Sequence, residues 1–448
     1  MLKRKIDTFI RNFYKSSKNA LLITGARQIG KTFSIREFGK QWKCFVEINF
    51  IENEEAALLL KDAKNTSDLL LRLSALTNKK LEKGNTLIFF DEVQACPEVV
   101  TAIKFLVEEG SYRYIMSGSL LGVELKDLRS EPVGYMTVKE MFPLDLEEFV
   151  RAIGIGDTVI DHLRTCWKFR KPVDEYIHIK MMELFRLYLI VGGMPAAVSK
   201  YLETNNLQEV MAVQKDIIAM YKRDIAKYDP KNKLENNEIF DLIPPELNSK
   251  NKRFILKNLN ENAKYERYHN SFLWLKNAGV AIPVYNVEEP KQPLMLARSR
   301  NLLKLFLCDV GLLAAMYAEG IQIRIIRGDK DINHGSIFEN AVAQELVAHG
   351  IELFYYNNKK RGEIDFVVSL AGKVLPIEVK SGKDYGQHRA LANIMDCREY
   401  ILPEALILCN DNLSCSGKLV YMPIYMAMFI RRNESAPVKY KVDLSGIV

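Results

Sequence analysis

Gly25-Ala26-Arg27-Gln28-Ile29-Gly30-Lys31-Thr32 is the stretch on which the fold turns. It satisfies G-x-x-x-x-G-K-[ST], and its flanks supply the context the motif needs: an apolar run, Leu21 to Thr24, before it and a helical pattern from about Lys31 after it. The spacing predicts strand, loop and helix. Glycines let the backbone curl until successive N–H groups point at phosphate oxygens, and the helix N-terminus adds partial positive charge. Gly25, Ala26, Arg27, Gln28, Ile29 and Gly30 are therefore the expected phosphate cradle, Lys31 reaches the β and γ phosphates, and Thr32 places its hydroxyl on Mg²⁺. ATP and Mg²⁺ are the cofactors this pattern implies.

Further along, Thr86-Leu87-Ile88-Phe89-Phe90-Asp91-Glu92 is an apolar strand ending in two carboxylates. Asp91 at the strand tip would hold the Mg²⁺ shell, and Glu92, on the opposite side of the strand axis, fits a general base for an attacking water. The next strand, Tyr112 to Met116, runs into Ser117-Gly118-Ser119, where Ser117 could sense a γ-phosphate. Continuous apolar strands of this kind belong to a parallel sheet covered on both faces, so the class is α/β.

The chain has 448 residues, of which 48% are hydrophobic. At ~100 to 200 residues per domain that is two to four domains, each with material for a core, which excludes a disordered or fibrous chain. Lys and Arg number 63 against 56 Asp and Glu, a net +7 that is too weak to diagnose a nucleic-acid partner. Seven cysteines without a C-x-x-C pair or zinc spacing predict a reduced, cytoplasmic chain with no structural metal. No run of 18 apolar residues occurs and the N-terminus lacks a secretory pattern, so no membrane association is expected.

Periodicity divides the chain into residues 1–150, an α/β sheet domain; 151–235, a helical linker; 236–318, helix, helix and a small hairpin in the order of a winged helix; and 319–448, α/β again. Pro244-Pro245 reads as a break, and the hairpin is expected over Val280 to Asn286 and Pro293 to Ala297.

The last part carries a second constellation. Glu339 lies in the first turn of a helix, Asp365 opens a strand, and Ile377-Glu378-Val379-Lys380 closes the next, so that Asp365 and Glu378 can sit side by side while Glu378 and Lys380 share a face. Converging carboxylates with an ammonium can bind a divalent metal and polarise a phosphodiester. Basic groups at Tyr221-Lys222-Arg223-Asp224, Arg298-Ser299-Arg300 with Lys304, and Lys359-Lys360-Arg361 are candidates for DNA phosphates, with a solvated face as the plainer alternative. Gln387, opening a helix, could touch a scissile phosphate.

These residues resemble two families. The phosphate loop, Asp91-Glu92 and Ser117-Gly118-Ser119, continued by Leu187-Tyr188-Leu189-Ile190-Val191-Gly192-Gly193-Met194-Pro195, Trp274 to Gly279, Asp309 to Leu313 and Phe338-Glu339-Asn340, resemble prokaryotic AAA-type ATPases with a C-terminal domain of formerly unknown function. That resemblance implies a P-loop NTPase domain that hydrolyses ATP, and it leaves open a homo-oligomer whose neighbour supplies an arginine. Many relatives have Gly-Arg where this chain has Gly134-Tyr135, with Arg129 nearby as a substitute. The order helix Glu, Asp, Glu-x-Lys resembles the PD-(D/E)xK nucleases, with Ile364 in place of the nominal proline. It implies a restriction-endonuclease-like domain with metal ligands Glu339, Asp365 and Glu378, catalytic Lys380, and DNA as partner. The alternative is a nucleotide-gated switch whose nuclease-like domain only binds.

Overall fold

A computed structural model describes residues 2–63, 65–77, 79–118, 134–249, 251–261, 264–329, 334–382, 386 and 388–432. Its N-terminal sheet is built from β1 (Ala20–Thr24), β2 (Cys44–Asn49), β3 (Thr86–Asp91), β4 (Arg113–Ser117) and β5 (Met136–Glu140), ordered β2-β3-β4-β1-β5 and parallel throughout. Strand alternation sorts the apolar side chains by face. Leu21, Ile23, Leu87, Phe89 and Ile115 join the core shared with the helical half, whereas Leu22, Ile88, Phe90, Tyr114 and Met116 pack under the other helices. Helices α1 (Lys5–Ser16) and α2 (Lys31–Gly39) belong to the first side; α3 (Glu54–Lys61), α4 (Thr66–Leu76) and α5 (Pro97–Glu109) belong to the second.

The middle of the chain is helical: α6 (Leu146–Ile153), α7 (Asp157–Phe169), α8 (Glu175–Val191), α9 (Pro195–Thr204), α10 (Leu207–Tyr228), α11 (Lys233–Asn248) and α12 (Tyr265–Asn277). Among the described residues no single helix is long and apolar enough to cross a membrane. The expected break at Pro244-Pro245 does not occur; both prolines lie inside α11. An interior proline costs ~3 kcal/mol, but Ile239, Phe240, Ile243 and Leu247 of this helix are fully buried, and four such side chains contribute more, at roughly 1.5 to 3 kcal/mol each.

The winged helix expected over 236–318 does not stand as a free unit. Its hairpin is β6 (Ala281–Val287) and β7 (Arg298–Leu307), the second strand starting after a short 3₁₀ turn at Leu294–Ala297 rather than at Pro293. The hairpin is not a free wing. β6 pairs in parallel with β8 (Phe354–Asn358), with Tyr285 opposite Phe354, so both strands extend one eight-stranded sheet. The sheet continues through β9 (Gly362–Leu370), β10 (Lys373–Val379), β11 (Ala405–Cys409), β13 (Leu419–Pro423) and β12 (Ser414–Ser416). Helices α13 (Val310–Ala315), α14 (Ile321–Arg327), α15 (Gly335–Ala348) and α16 (Arg389–Met395) complete the chain, and the apolar Ile424–Phe429 forms a buried 3₁₀ element. Hydrogen-bonding β6 to β8 satisfies an edge that a free hairpin would leave open.

The two halves share one apolar core, and backbone meets backbone at Gly192-Gly193, between α8 and α9. A Cβ on Gly193 would stand 2.1 Å from the Leu144 carbonyl oxygen, and Leu144 N–H donates to the Gly193 carbonyl at 2.7 Å. Gly193→Ala is expected to lower unfolding free energy by about 3 kcal/mol or more, because backbone meets backbone and neither can yield. Chemical denaturation checks this; an unchanged midpoint would mean that the turn relaxes.

Candidate functional site

The phosphate loop leaves β1 and enters α2 at Gly30, whose φ of 93° closes the curl; a Cβ on Gly25, φ 133°, would lie 2.2 Å from the Met141 carbonyl oxygen. Lys31 is folded back on its own loop, donating to the carbonyls of Gly25 at 2.9 Å and Ala26 at 2.7 Å. Burial pushes its ammonium down to about 8, against the pull of Glu92 and Asp91. Thr32 Oγ1 lies 3.2 and 3.4 Å from the two oxygens of Asp91, Asn49 Nδ2 donates to Asp91 at 3.2 Å, and Ser117 donates to it as well. Burial raises the Asp91 carboxyl, and the Ser117 hydrogen bond works against that rise.

Glu92 leaves the strand in the left-handed region, φ 56°, which carries its side chain to the wall of the loop's cavity, where Gln94 Nε2 donates to it. A non-glycine residue there costs of order 1 kcal/mol or more and persists where its surroundings dictate it. The cavity has a volume of about 700 Å³ and is lined by Gln28, Gly30, Lys31, Thr32 and Glu92, and on its far side by Pro195, Ala196 and Ser199 of α9 and Met220 of α10. Hydroxyl and carboxylate oxygens around Thr32 and Asp91 are the hard donors that Mg²⁺ takes, so the residues present fit that ion.

Two supporting residues, Arg4 and Asn49, escaped sequence reading, as did the tie between Arg27 and α10. Arg4, before α1, donates to the carbonyls of Ile29 at 3.0 Å and Phe142 at 2.7 Å and pairs with Glu148 at 3.2 Å. Arg27 pairs with Asp224 of α10 at 2.6 Å, and Tyr221 Oη donates to the Arg27 carbonyl at 3.1 Å. Asn49 ends β2 directly opposite Asp91; the apolar–polar alternation of Val46, Glu47, Ile48 and Asn49 was the available signal. Ser119 and Arg129 lie outside the described residues, as does Gln387.

In the C-terminal half Glu339, Asp365, Glu378 and Lys380 come together. Val379 N–H donates to Asp365 at 2.8 Å, and Lys380 Nζ pairs with Glu378 Oε1 at 2.7 Å. Glu339 lies one turn into α15 rather than in its first turn, and it is wholly buried. Lysines the sequence did not place there stand among the acids. Lys252 is on Glu339 Oε1, while Lys304 Nζ lies 3.4 Å from Glu339 Oε2, 2.7 Å from Glu363 and 3.9 Å from Asp365. Buried carboxylates need counter-charge, and ammonium groups supply it here.

Four of the expected DNA-facing basic residues are engaged within the chain, while Arg223, Arg300, Lys359 and Lys360 are exposed. Lys304 is buried in this cluster, Lys222 pairs with Asp241 at 2.6 Å, Arg298 stacks 3.6 Å over Tyr285, and Arg361 donates to Tyr400 at 2.5 Å.

Elsewhere, Asp145, Glu345 and His349 bring ligand atoms within 4.8 Å of one another. His349 Nδ1–H donates to the Ile430 carbonyl at 2.7 Å, leaving Nε2 3.4 Å from Glu345 and 3.5 Å from Asp145. Lys5 already sits on Asp145 and, at 3.2 Å, on Glu147, so these groups form an ion-pair joint between α1, α6 and α15.

Residues 17–150 match the family described as an AAA domain; residues 182–322 and 334–425 match two families each described only as a domain of unknown function (DUF8612 and DUF4143). No curated protein matches. Among solved structures, the Walker-type ATPase PABY2304 of Pyrococcus abyssi is 14% identical with a TM-score of 0.44, over 70% of this chain and 96% of that one. The Aeropyrum pernix ORC1 protein in complex with DNA is 11% identical with a TM-score of 0.28, over 72% and 92%. Thermotoga maritima RuvB T158V is 12% identical with a TM-score of 0.28, over 67% and 90%. The N-terminal unit is thus an AAA-type P-loop ATPase domain.

One titration consequence follows from the C-terminal cluster. Burial, then the charge of Asp365, pushes the Glu378 carboxyl up to about 8. Below pH ~4.5 it is protonated in both folded and unfolded chains; between there and 8 the unfolded chain gives up its proton and the folded chain does not, so stability falls as pH rises. Glu378→Gln should therefore gain on wild type between pH 5 and 8 when thermal midpoints are compared. A constant difference across that range would refute the assignment.

Proposed function

We propose that the chain is a Mg²⁺-dependent ATPase whose nucleotide state is passed to a DNA-binding, nuclease-like C-terminal domain. The observation that carries the ATPase reading is the convergence of Lys31, Thr32 and Glu92 on one cavity closed by α9 and α10, with Asp91 hydrogen-bonded to Thr32. On this reading Lys31 exchanges the Gly25 and Ala26 carbonyls for β- and γ-phosphate oxygens. Thr32 and Asp91 hold Mg²⁺, which supplies charge neutralisation when bound. Glu92 takes the proton of the water that attacks the γ-phosphorus as the bond to the β-phosphate oxygen breaks, and Ser117, behind Asp91, fixes that carboxylate.

Transmission follows hydrogen bonds. Arg27 and Tyr221 tie the loop to α10, and Gln214 of α10 donates to the Ile190 and Val191 carbonyls at 2.8 and 3.0 Å. The next residues reach Asp309 through Gly193 N–H at 2.6 Å, and Gln344 of α15, 3.4 Å from Asp309, shares its helix with Glu339. The order α15, β8, β9, β10, α16, β11, with Glu339, Asp365, Glu378 and Lys380 gathered in it, supports the PD-(D/E)xK reading and with it DNA as partner. Between cleavage and binding, the lysines on both oxygens of Glu339 favour binding.

Glu92→Gln should lower kcat for ATP by about 100- to 10,000-fold while ATP still binds, since a general base contributes that much. Lys31→Ala should abolish nucleotide binding. Turnover and equilibrium binding of ATP check both, and undiminished turnover in Glu92→Gln would overturn the role given to it. ATP-dependent retention of duplex DNA, lost in Lys31→Ala, is the expected result for the coupling.

A further inference from the structure

The carboxylate cluster of the C-terminal domain contains two lysines that its own helix and strands do not supply, Lys252 and Lys304. Lys304 comes from β7, at the far edge of the sheet, paired with Val284 of β6. Its side chain is wholly buried, its ammonium 5.2 Å from the centre of the Tyr355 ring and within reach of Glu363, Glu339 and Asp365. Lys252 and Lys380 are different: their side chains are 22% and 28% exposed, so they stand at the mouth and can turn outward. Lys304 has no such route, because withdrawing it means detaching β7 from β6.

A divalent ion held by Glu339 and Asp365 would need their oxygens at about 2.0 to 2.6 Å, which places it against this ammonium. Two cations pressed onto those oxygens repel strongly, because Lys304 and Glu339 are sealed from water and screening there is weak. We infer that Lys304 is the resident cation of this cluster, so that the folded chain keeps its nuclease-like site closed to divalent metal and meets a phosphodiester through Lys252 and Lys380 instead. The inference rests on the nuclease-like reading of the C-terminal domain.

The test is Mn²⁺ binding to the full chain without nucleotide, read by the electron paramagnetic resonance of free Mn²⁺ and by the thermal midpoint, in wild type and Lys304→Met, each with and without Asp365→Asn. Any ion at Thr32 and Asp91 is common to all four chains. The expected result is an additional bound equivalent and an Mn²⁺-dependent rise in midpoint in Lys304→Met alone, both lost on adding Asp365→Asn. If wild type already binds that equivalent and loses it on Asp365→Asn, the inference is overturned while the nuclease-like reading stands. If neither wild type nor folded Lys304→Met binds it, both fall. Should Lys304→Met not fold, Lys304→Gln keeps a hydrogen-bond donor beside Glu363 without the charge, and the same outcomes decide.

Discussion

A single buried carboxylate, Asp309, joins the parts of this molecule. It accepts N–H groups from Gly193 at 2.6 Å and Leu312 at 3.0 Å, and Gln344 Nε2 stands 3.4 Å away, so the α8–α9 turn, the start of α13 and α15 meet at one side chain. Burial pushes its carboxyl up to about 6, and the backbone donors work against that rise. A charge this deep costs several kcal/mol unless its partners are fixed, so the segments that satisfy it are fixed as well. The glycines around it follow from the same constraint: a Cβ on Gly192 would lie 2.2 Å from Asp309 Oδ1, and one on Gly311 2.6 Å from Gln214 Nε2.

The nucleotide cavity inherits this arrangement. Pro195, Ala196 and Ser199 form its outer wall because α9 begins where the Gly193 turn is anchored. The loop facing them is held by three side chains from two elements, Arg4 at Ile29 and, from α10, Asp224 at the Arg27 side chain and Tyr221 at the Arg27 carbonyl. A phosphate loop on a strand tip would otherwise have only its own backbone to set its shape. Here the helical half sets it.

What could be read from the sequence was whatever is decided locally. The phosphate loop, the Asp91-Glu92 strand end and the Glu378-x-Lys380 strand end are short segments whose chemistry and periodicity are contiguous, and the elements found there are those expected. The misreadings are non-local. β6 and β7 have the pattern of a hairpin whether they stand alone as a wing or join a sheet, and the pairing of Tyr285 with Phe354 is invisible to a window of ten residues. Pro244 and Pro245 break helices by default, and here the burial of Ile243 and Leu247 around them prevails. Lys304 reads as a surface base because lysines are almost always exposed; only its placement among Glu339, Glu363 and Asp365 makes it an interior one.

Lys31 and Lys304 show how the two sites differ in kind. Lys31 is desolvated yet rests on carbonyls, and its ammonium is pushed down because the surrounding negative charge falls short of what burial takes away. That is a site short of anions, and a triphosphate completes it. Burial disfavours the Lys304 ammonium too, but Glu339, Asp365 and Glu363 together more than compensate and hold it raised. That site already contains the charges that balance it. A ligand can therefore act directly on the first, while the second changes when β7 moves relative to α15 and β9, which carry the opposing charges. Both are joined to the Asp309 anchor, β7 by direct succession of Leu307, Cys308 and Asp309 and α15 through Gln344. The anchor that shapes the nucleotide cavity is thus the same one that sets the distance between Lys304 and Glu339.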